Sequence, residues 1–371
     1  MNNIKYFRFI LFFISLLLLV LLINLYLDFI IFQKKYDSKY YKNIEDLSSI
    51  EDKINKNYFP NIGSFVNEKN LSSYLLKNKI LFFGNQSKKD IVLCNESGNY
   101  VYYKSDKYGF RNNYDNYGKR LPIIIGDSFG LGICHQNHFK RIGPYIINLS
   151  IAGSGPRTQF LLLKSYLKKY NTNKIILLFY SGNDLQDLYY ENKNKLIQHF
   201  DNTDIIDYFN GKDEIDKIIN NFEPVKLKKN IYNYSPFKKI KYGENINFYR
   251  IIKLTALRLT LRNIYFQINK INLFKNYLSL LTDINDIGMS KRIEIHLIIL
   301  PSMKEFTKKK IEINNMKTII ETNFKKIKVH NFENVMFEKF SPGDAFVNPR
   351  THYTEKLNAE LEKFIIKNIL N

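Results

Sequence analysis

Four short segments of this sequence carry the residue types that acyl chemistry uses. Gly126-Asp127-Ser128-Phe129-Gly130 offers a hydroxyl between two glycines, and Ile151-Ala152-Gly153-Ser154-Gly155 offers main chain that a substrate can approach. Ser181-Gly182-Asn183-Asp184-Leu185 adds a carboxamide, and Thr351-His352-Tyr353 adds an imidazole. A serine hydroxyl is a weak nucleophile until a neighbouring base takes its proton. His352 is the candidate base for Ser128, because an imidazole titrates near working pH. The tetrahedral oxyanion of such a reaction needs preorganised donors, each costing about 3 kcal/mol if lost. The backbone N–H groups of Ser128 and Gly153 and the side-chain amide of Asn183 would supply three. A side chain at Gly153 would crowd the substrate. The scheme needs no cofactor and no metal. Cys134, His135 and His138 lack a fourth ligand at zinc-site spacing.

Taken singly, each residue has a plainer reading. Ser128 suits a helix N-cap, His352 a surface cap, and Asn183-Asp184 a turn. Their order and their positions favour the chemical reading. Nearly continuous apolar runs at Leu121–Ile125, Tyr145–Leu149, Ile175–Tyr180, Ile293–Leu300 and, more weakly, Ile327–Phe332 suit parallel strands covered on both faces. Helical stretches lie between them at Thr158–Tyr170 and Met303–Phe324. A final stretch, Thr354–Leu370, sets Leu357, Leu361, Phe364, Ile365 and Ile369 on one face. This alternation predicts a doubly wound, flavodoxin-like parallel α/β sheet. Ligands bind such sheets just beyond the carboxyl ends of the strands. The first three segments directly follow apolar runs, and the fourth opens the last helix. Residues 190–290 interrupt the rhythm and read as an inserted cap or lid.

The stretch Phe9–Leu27 is uncharged, and apolar character continues through Phe32. It is long enough to cross a hydrocarbon core of ~30 Å and has no small-residue cleavage site, so residues 9–32 read as a retained single-pass anchor. Residues 33–115 read as a stalk and lead-in, and 116–371 as the globular body. Lys5 and Arg8 precede the span while Lys34, Lys35, Lys39 and Lys42 follow it. Counted alone, these charges put the body in the cytoplasm, but long domains translocate largely regardless of them.

The 371 residues are 45% hydrophobic and 15% aromatic without one Trp, which fits an ordered body. The net charge of +21 comes mostly from Lys dispersed from Lys34 to Lys367. Clusters such as Lys226-Leu227-Lys228-Lys229 and Lys308-Lys309-Lys310 lack the Arg and Gly texture of a nucleic-acid module, so no nucleic-acid partner is expected. Cys94 and Cys134 leave the redox compartment open.

With these residues in view, the sequence resembles the SGNH (GDSL-type) hydrolase superfamily, named for its Ser, Gly, Asn and His. Gly126-Asp127-Ser128 matches the first block, Gly153 in NLSIAGSGPRTQ the second, Gly182-Asn183-Asp184 the third and His352 the last. The lead-in Asp106-Lys107-Tyr108-Gly109-Phe110-Arg111-Asn112 is similar to the segment before the first strand in many bacterial members. The resemblance covers residues 100–371. It implies the SGNH fold and a serine esterase or deacetylase acting on an acylated envelope glycan or related ester, with its body outside the cytoplasm. Alternatives within the family are an O-acyltransferase of envelope polysaccharide and a catalytically silent glycan-binding domain. One departure stands out. The family usually sets an aspartate two or three residues before the histidine, where this chain has Arg350 and Pro349. Asp344 is the nearest upstream acid and the candidate to orient His352, the other option being a Ser–His dyad with a carbonyl in that role.

Overall fold

The computed structural model describes residues 2–28, 59–61, 63, 69–93, 101–133, 135–201, 208–221, 253–308, 316–347 and 352–371. Most of the stalk, Cys94, Cys134, the middle of the insertion, part of the Lys308–Lys310 cluster, and Pro349, Arg350 and Thr351 lie outside these residues. Two compact units form. In the first, helix α1 (Asn2–Asp28) contains a 20-residue apolar window, Phe9–Asp28, long and apolar enough to cross a membrane. The first half of a later helix belongs to the same unit, and its Leu257 N–H donates to Asn24 Oδ1 at 3.0 Å.

The second unit is a mixed α/β body. Strands β1 (Phe59–Pro60), β2 (Asp90–Val92) and β3 (Tyr102–Lys104) make a small sheet, and helix α2 spans Lys69–Lys77. The punctuated lead-in hid these elements, because two- and three-residue strands are too short to show a period. The main sheet contains β4 (Ile123–Ile125), β5 (Ile147–Asn148), β6 (Lys174–Tyr180), β7 (Glu294–Leu300) and β8 (Ile327–Asn331). All are parallel, in the order β5-β4-β6-β7-β8. Each coincides with an apolar run expected to form a strand, with β6 starting one residue earlier at Lys174 and Tyr145 belonging to a preceding 3-10 turn. The chain moves outward from β4 to β5, then returns past β4 to β6. That reversal opens a crevice at the carboxyl ends of β4 and β6.

Alternation along the strands sends side chains to both faces. Ile124, Ile176, Leu178, Ile298 and Leu300 share one core with Met336 of α9 (Glu333–Lys339) and with Leu357, Leu361 and Ile365 of α10 (Glu355–Ile365). On the other face Phe179 meets Tyr277 of α8 (Thr255–Lys291), ring centroids 4.7 Å apart. Helix α4 (Pro156–Lys169) also buries its apolar residues. Each fully buried Ile or Leu contributes about 1.5–3 kcal/mol, so the sheet needs no alternating polar pattern to hold its place.

Helix α5 (Asp184–Glu191) leads into the insertion, whose early part runs as α6 (Lys195–Asp201) and α7 (Lys212–Asn221). Several of its bonds go to the lead-in. Gln86 Nε2 donates to Asn220 Oδ1 at 2.6 Å, and Lys212 Nζ to the Asn85 carbonyl at 2.9 Å. Tyr208 and Phe209 bury their rings among Tyr108, Phe110, Tyr166 and Tyr170.

Candidate active site

Ser128 opens α3 (Ser128–Leu131), a single turn packed against the centre of the sheet. The turn is possible because nothing projects from its glycines. A Cβ at Gly126 would stand 2.9 Å from that of Leu178, and one at Gly130 would collide with the Ser150 side chain. Asp127 caps the turn, its Oδ1 accepting from the Phe129 N–H at 2.9 Å. Burial pushes the Asp127 carboxyl up to about 6, while that cap bond and the nearby His352 hold it down.

Ser128 Oγ lies 2.8 Å from His352 Nε2, although 224 positions separate them in sequence. Its distance to Asp127 Oδ2 is 3.4 Å, so the hydroxyl proton has its better acceptor in an unprotonated Nε2. Neither residue is fully buried, which leaves the pair open to a substrate. His352 is held by its neighbours. Val347 N–H donates to the His352 carbonyl at 3.0 Å, and Tyr353 forms a bridge with Phe346. The Tyr353 hydroxyl donates to the Pro301 carbonyl at 2.9 Å. Phe129 then packs between rings: it stacks on Tyr180 with centroids 3.9 Å apart, lies 5.2 Å from the imidazole and meets Tyr353 edge-on.

Gly153 follows β5 with φ +71°, a conformation that glycine alone adopts without strain. Its loop is stitched to the serine turn. The Ile151 N–H donates to the Gly126 carbonyl at 3.0 Å, and Ser154 Oγ donates to the same carbonyl at 3.2 Å. Asn183 follows β6 as the N-cap residue of α5, and its Nδ2 donates to Asp187 Oδ2 at 2.7 Å. Because β5, β4 and β6 are adjacent and parallel, the loops bearing Gly153, Ser128 and Asn183 leave the sheet side by side. The Asp344 carbonyl accepts from Thr354 Oγ1, two residues past His352. Asp344 is exposed, its Oδ2 accepts from Ser341 Oγ at 2.6 Å, and no hydrogen bond joins it to His352 among the described residues.

Two supporting residues escaped the sequence reading. Arg111, in the lead-in, donates to four main-chain carbonyls: Leu131 at 3.1 Å, Gly132 at 2.7 Å, His135 at 2.6 Å and Gln136 at 3.0 Å. It thus gathers the carbonyls that end the serine turn and holds the next segment to it. Arg111→Ala should lower unfolding stability by roughly 2–4 kcal/mol, read from the denaturant midpoint, because several acceptors lose their donor together. Arg111→Lys should restore only part, since one ammonium does not span four carbonyls. A midpoint unmoved by both would count against the clamp. Glu191 is the second. Its carboxylate accepts from the N–H groups of Gly155 at 2.7 Å and Arg157 at 2.9 Å, so the end of α5 caps the start of α4. Asn183, Asp187 and Glu191 recur at intervals of four, one face of a helix, and that periodicity was a usable signal.

His138 is committed to scaffolding. Its Nε2 lies 2.6 Å from the Gly130 carbonyl, and its Nδ1 bonds to the Asn358 amide. Burial, with the Arg111 guanidinium beside it, pushes the His135 imidazole down to about 3, so that ring is neutral.

The same helix face makes stability depend on pH. Burial, reinforced by the Glu191 charge, pushes the Asp187 carboxyl up to about 8, and burial pushes Glu191 up to about 7 against its N–H donors. Unfolded carboxyls release their protons near ~4, so the folded chain holds protons that the unfolded chain has lost. Stability from these groups is complete below that value and declines as pH rises toward about 8. The melting temperature should fall across this window, and Asp187→Asn should flatten the upper part of the fall. Identical slopes for the two proteins would refute the assignment.

No family model matches the chain, and no curated protein matches it. Among solved structures, a proposed acylhydrolase of Bacteroides fragilis is similar at 12% identity and a TM-score of 0.34, over 70% of this chain and 89% of that one. A likeness this faint carries no argument, and the functional reading rests on the site itself.

Proposed function

We propose that this chain is a serine esterase of the SGNH kind, tethered by its N-terminal helix and acting outside the cytoplasm on an acylated envelope glycan or a related ester. The observation that carries this reading is the 2.8 Å separation of Ser128 Oγ and His352 Nε2. In the proposed reaction His352 Nε2 takes the hydroxyl proton as Ser128 Oγ attacks the ester carbonyl carbon. The N–H groups of Ser128 and Gly153 and the Asn183 amide stabilise the oxyanion. The tetrahedral intermediate collapses to an acyl-serine, and the leaving alkoxide recovers the proton from His352. Water activated by the same imidazole then releases the acid and restores the serine.

The scheme as drawn runs on the Ser128–His352 dyad, and the described bond of the Asp344 carboxylate is to Ser341. Support for a serine-based route also comes from the buried Asp127 carboxylate, whose charge interacts with the imidazole and favours its protonated form during the reaction. The test is hydrolysis of p-nitrophenyl acetate, with stoichiometric fluorophosphonate labelling, by the full chain in detergent. Both should disappear in Ser128→Ala. Labelling that persists in that variant would overturn the proposal.

A further inference from the structure

Helix α8 changes character halfway along its outward face. Leu261, Ile264, Tyr265, Ile268 and Ile271 recur at intervals of three and four, all exposed, with Ile268 at 75% and Ile271 at 73%. On the same line beyond Ile271 stand Asn272, Lys275, Asn276, Ser279, Asp283 and Asp286, also exposed. The opposite side is apolar in the second half for an ordinary reason, since Leu273, Tyr277, Leu280, Leu281 and Ile284 are buried in the α/β body. The first half therefore carries an outer apolar stripe of about three turns, roughly 16 Å at 1.5 Å per residue, whose members are exposed among the described residues.

Two further observations say what covers it. Residues 253–271 belong to the same compact unit as α1, and the Leu257 N–H is bonded to Asn24 Oδ1 near the end of the apolar span. The start of α8 is thus fastened where the apolar helix gives out. Charge points the same way. From Lys253 to Thr282 there is no acidic residue, while Lys253, Arg258, Arg262, Lys270 and Lys275 are basic. Arg258 and Arg262, one turn apart, run along one edge of the stripe. An apolar strip bordered by cations, with a tyrosine among its members, has the makeup of a helix lying in the headgroup region of a bilayer.

We infer that the outward face of residues 255–271 lies in the interface of an anionic phospholipid bilayer, its apolar side chains toward the acyl chains, and that this contact ends at Asn272. The inference rests on reading α1 as the membrane anchor, and adds a second attachment that the anchor alone does not provide. A transmembrane helix leaves the attached body free to swivel, whereas a helix lying in the surface restricts it.

The chain contains no Trp, so one introduced residue reports without background. Full-length Leu17→Trp, Ile268→Trp and Ser279→Trp would each be reconstituted in vesicles of phosphatidylcholine and phosphatidylglycerol containing lipids brominated near the headgroup or deep in the acyl chain. Leu17→Trp should lose most of its emission to deep bromines. Ile268→Trp should be blue-shifted and lose most of its emission to shallow bromines, and Ser279→Trp should emit as in water without quenching. Loss of Leu17→Trp quenching would remove the anchor reading itself. Quenching of Leu17→Trp with none of Ile268→Trp would overturn the surface contact alone, and a blue shift without quenching would assign the stripe to a protein partner such as a second copy. Quenching of Ser279→Trp would overturn the boundary at Asn272.

Discussion

Ser128→Ala is expected to lower hydrolysis of p-nitrophenyl acetate to the level of the uncatalysed reaction plus whatever the donor cradle still supplies, a loss on the order of a millionfold in kcat. The size follows from cooperation. Without the hydroxyl there is no acyl-serine, and without the imidazole the hydroxyl is not activated. Removing His352 alone should therefore cost about as much, and removing both should cost little more. The folded state should survive the change, because Ser128 is only partly buried and the described bonds of its hydroxyl are to His352 Nε2 and, at 3.4 Å, to Asp127 Oδ2. Turnover within a few-fold of the parent in a folded Ser128→Ala protein would end the assignment.

Asn183→Ala is expected to lower kcat by about 10²- to 10³-fold with little change in KM, the pattern of a donor used mainly in the transition state. Here the structural and chemical effects are separable. The Asn183 side chain makes no cap bond to its helix, and its described partner is Asp187 Oδ2 at 2.7 Å. Loss of that one bond should move unfolding stability by only about 1 kcal/mol. A large stability loss with unchanged kcat would reverse the interpretation and make Asn183 a strut.

Much of the sheet was legible because its strands are buried on both faces. Ile123–Ile125 and Lys174–Tyr180 sit within runs of Ile, Leu and Phe that suit no exposed element. The pairing of Ser128 with His352 was legible for a related reason, since strand ends converge in parallel sheets and the histidine lies just ahead of the final helix. What stayed hidden was bonding between distant segments. Nothing in the composition around Arg111 announces that its guanidinium meets carbonyls about 20 residues downstream. Proximity in sequence likewise says nothing of the bond that Asp344, the nearest acid upstream of His352, accepts from Ser341. The small sheet of β1, β2 and β3 was missed because two or three residues do not establish an alternation.

The bonds of the lead-in have a further consequence. Asp106 accepts from the N–H groups of Tyr108 at 2.8 Å and Phe110 at 3.0 Å, and from Asn112 Nδ2 at 2.8 Å. Asn112 in turn reaches the Asn148 carbonyl at 3.0 Å, while Asn116 spans three carbonyls between Gly143 and Ile146. A fragment begun at the first strand of the main sheet would strip the carbonyls held by Arg111, Asn112 and Asn116 of their donors and bare the ring of Phe209, which packs on Tyr108, Phe110 and Tyr117. Shortened versions for crystallisation or screening therefore have to start well upstream of the serine, as the smallest autonomous piece is wider than its own sheet.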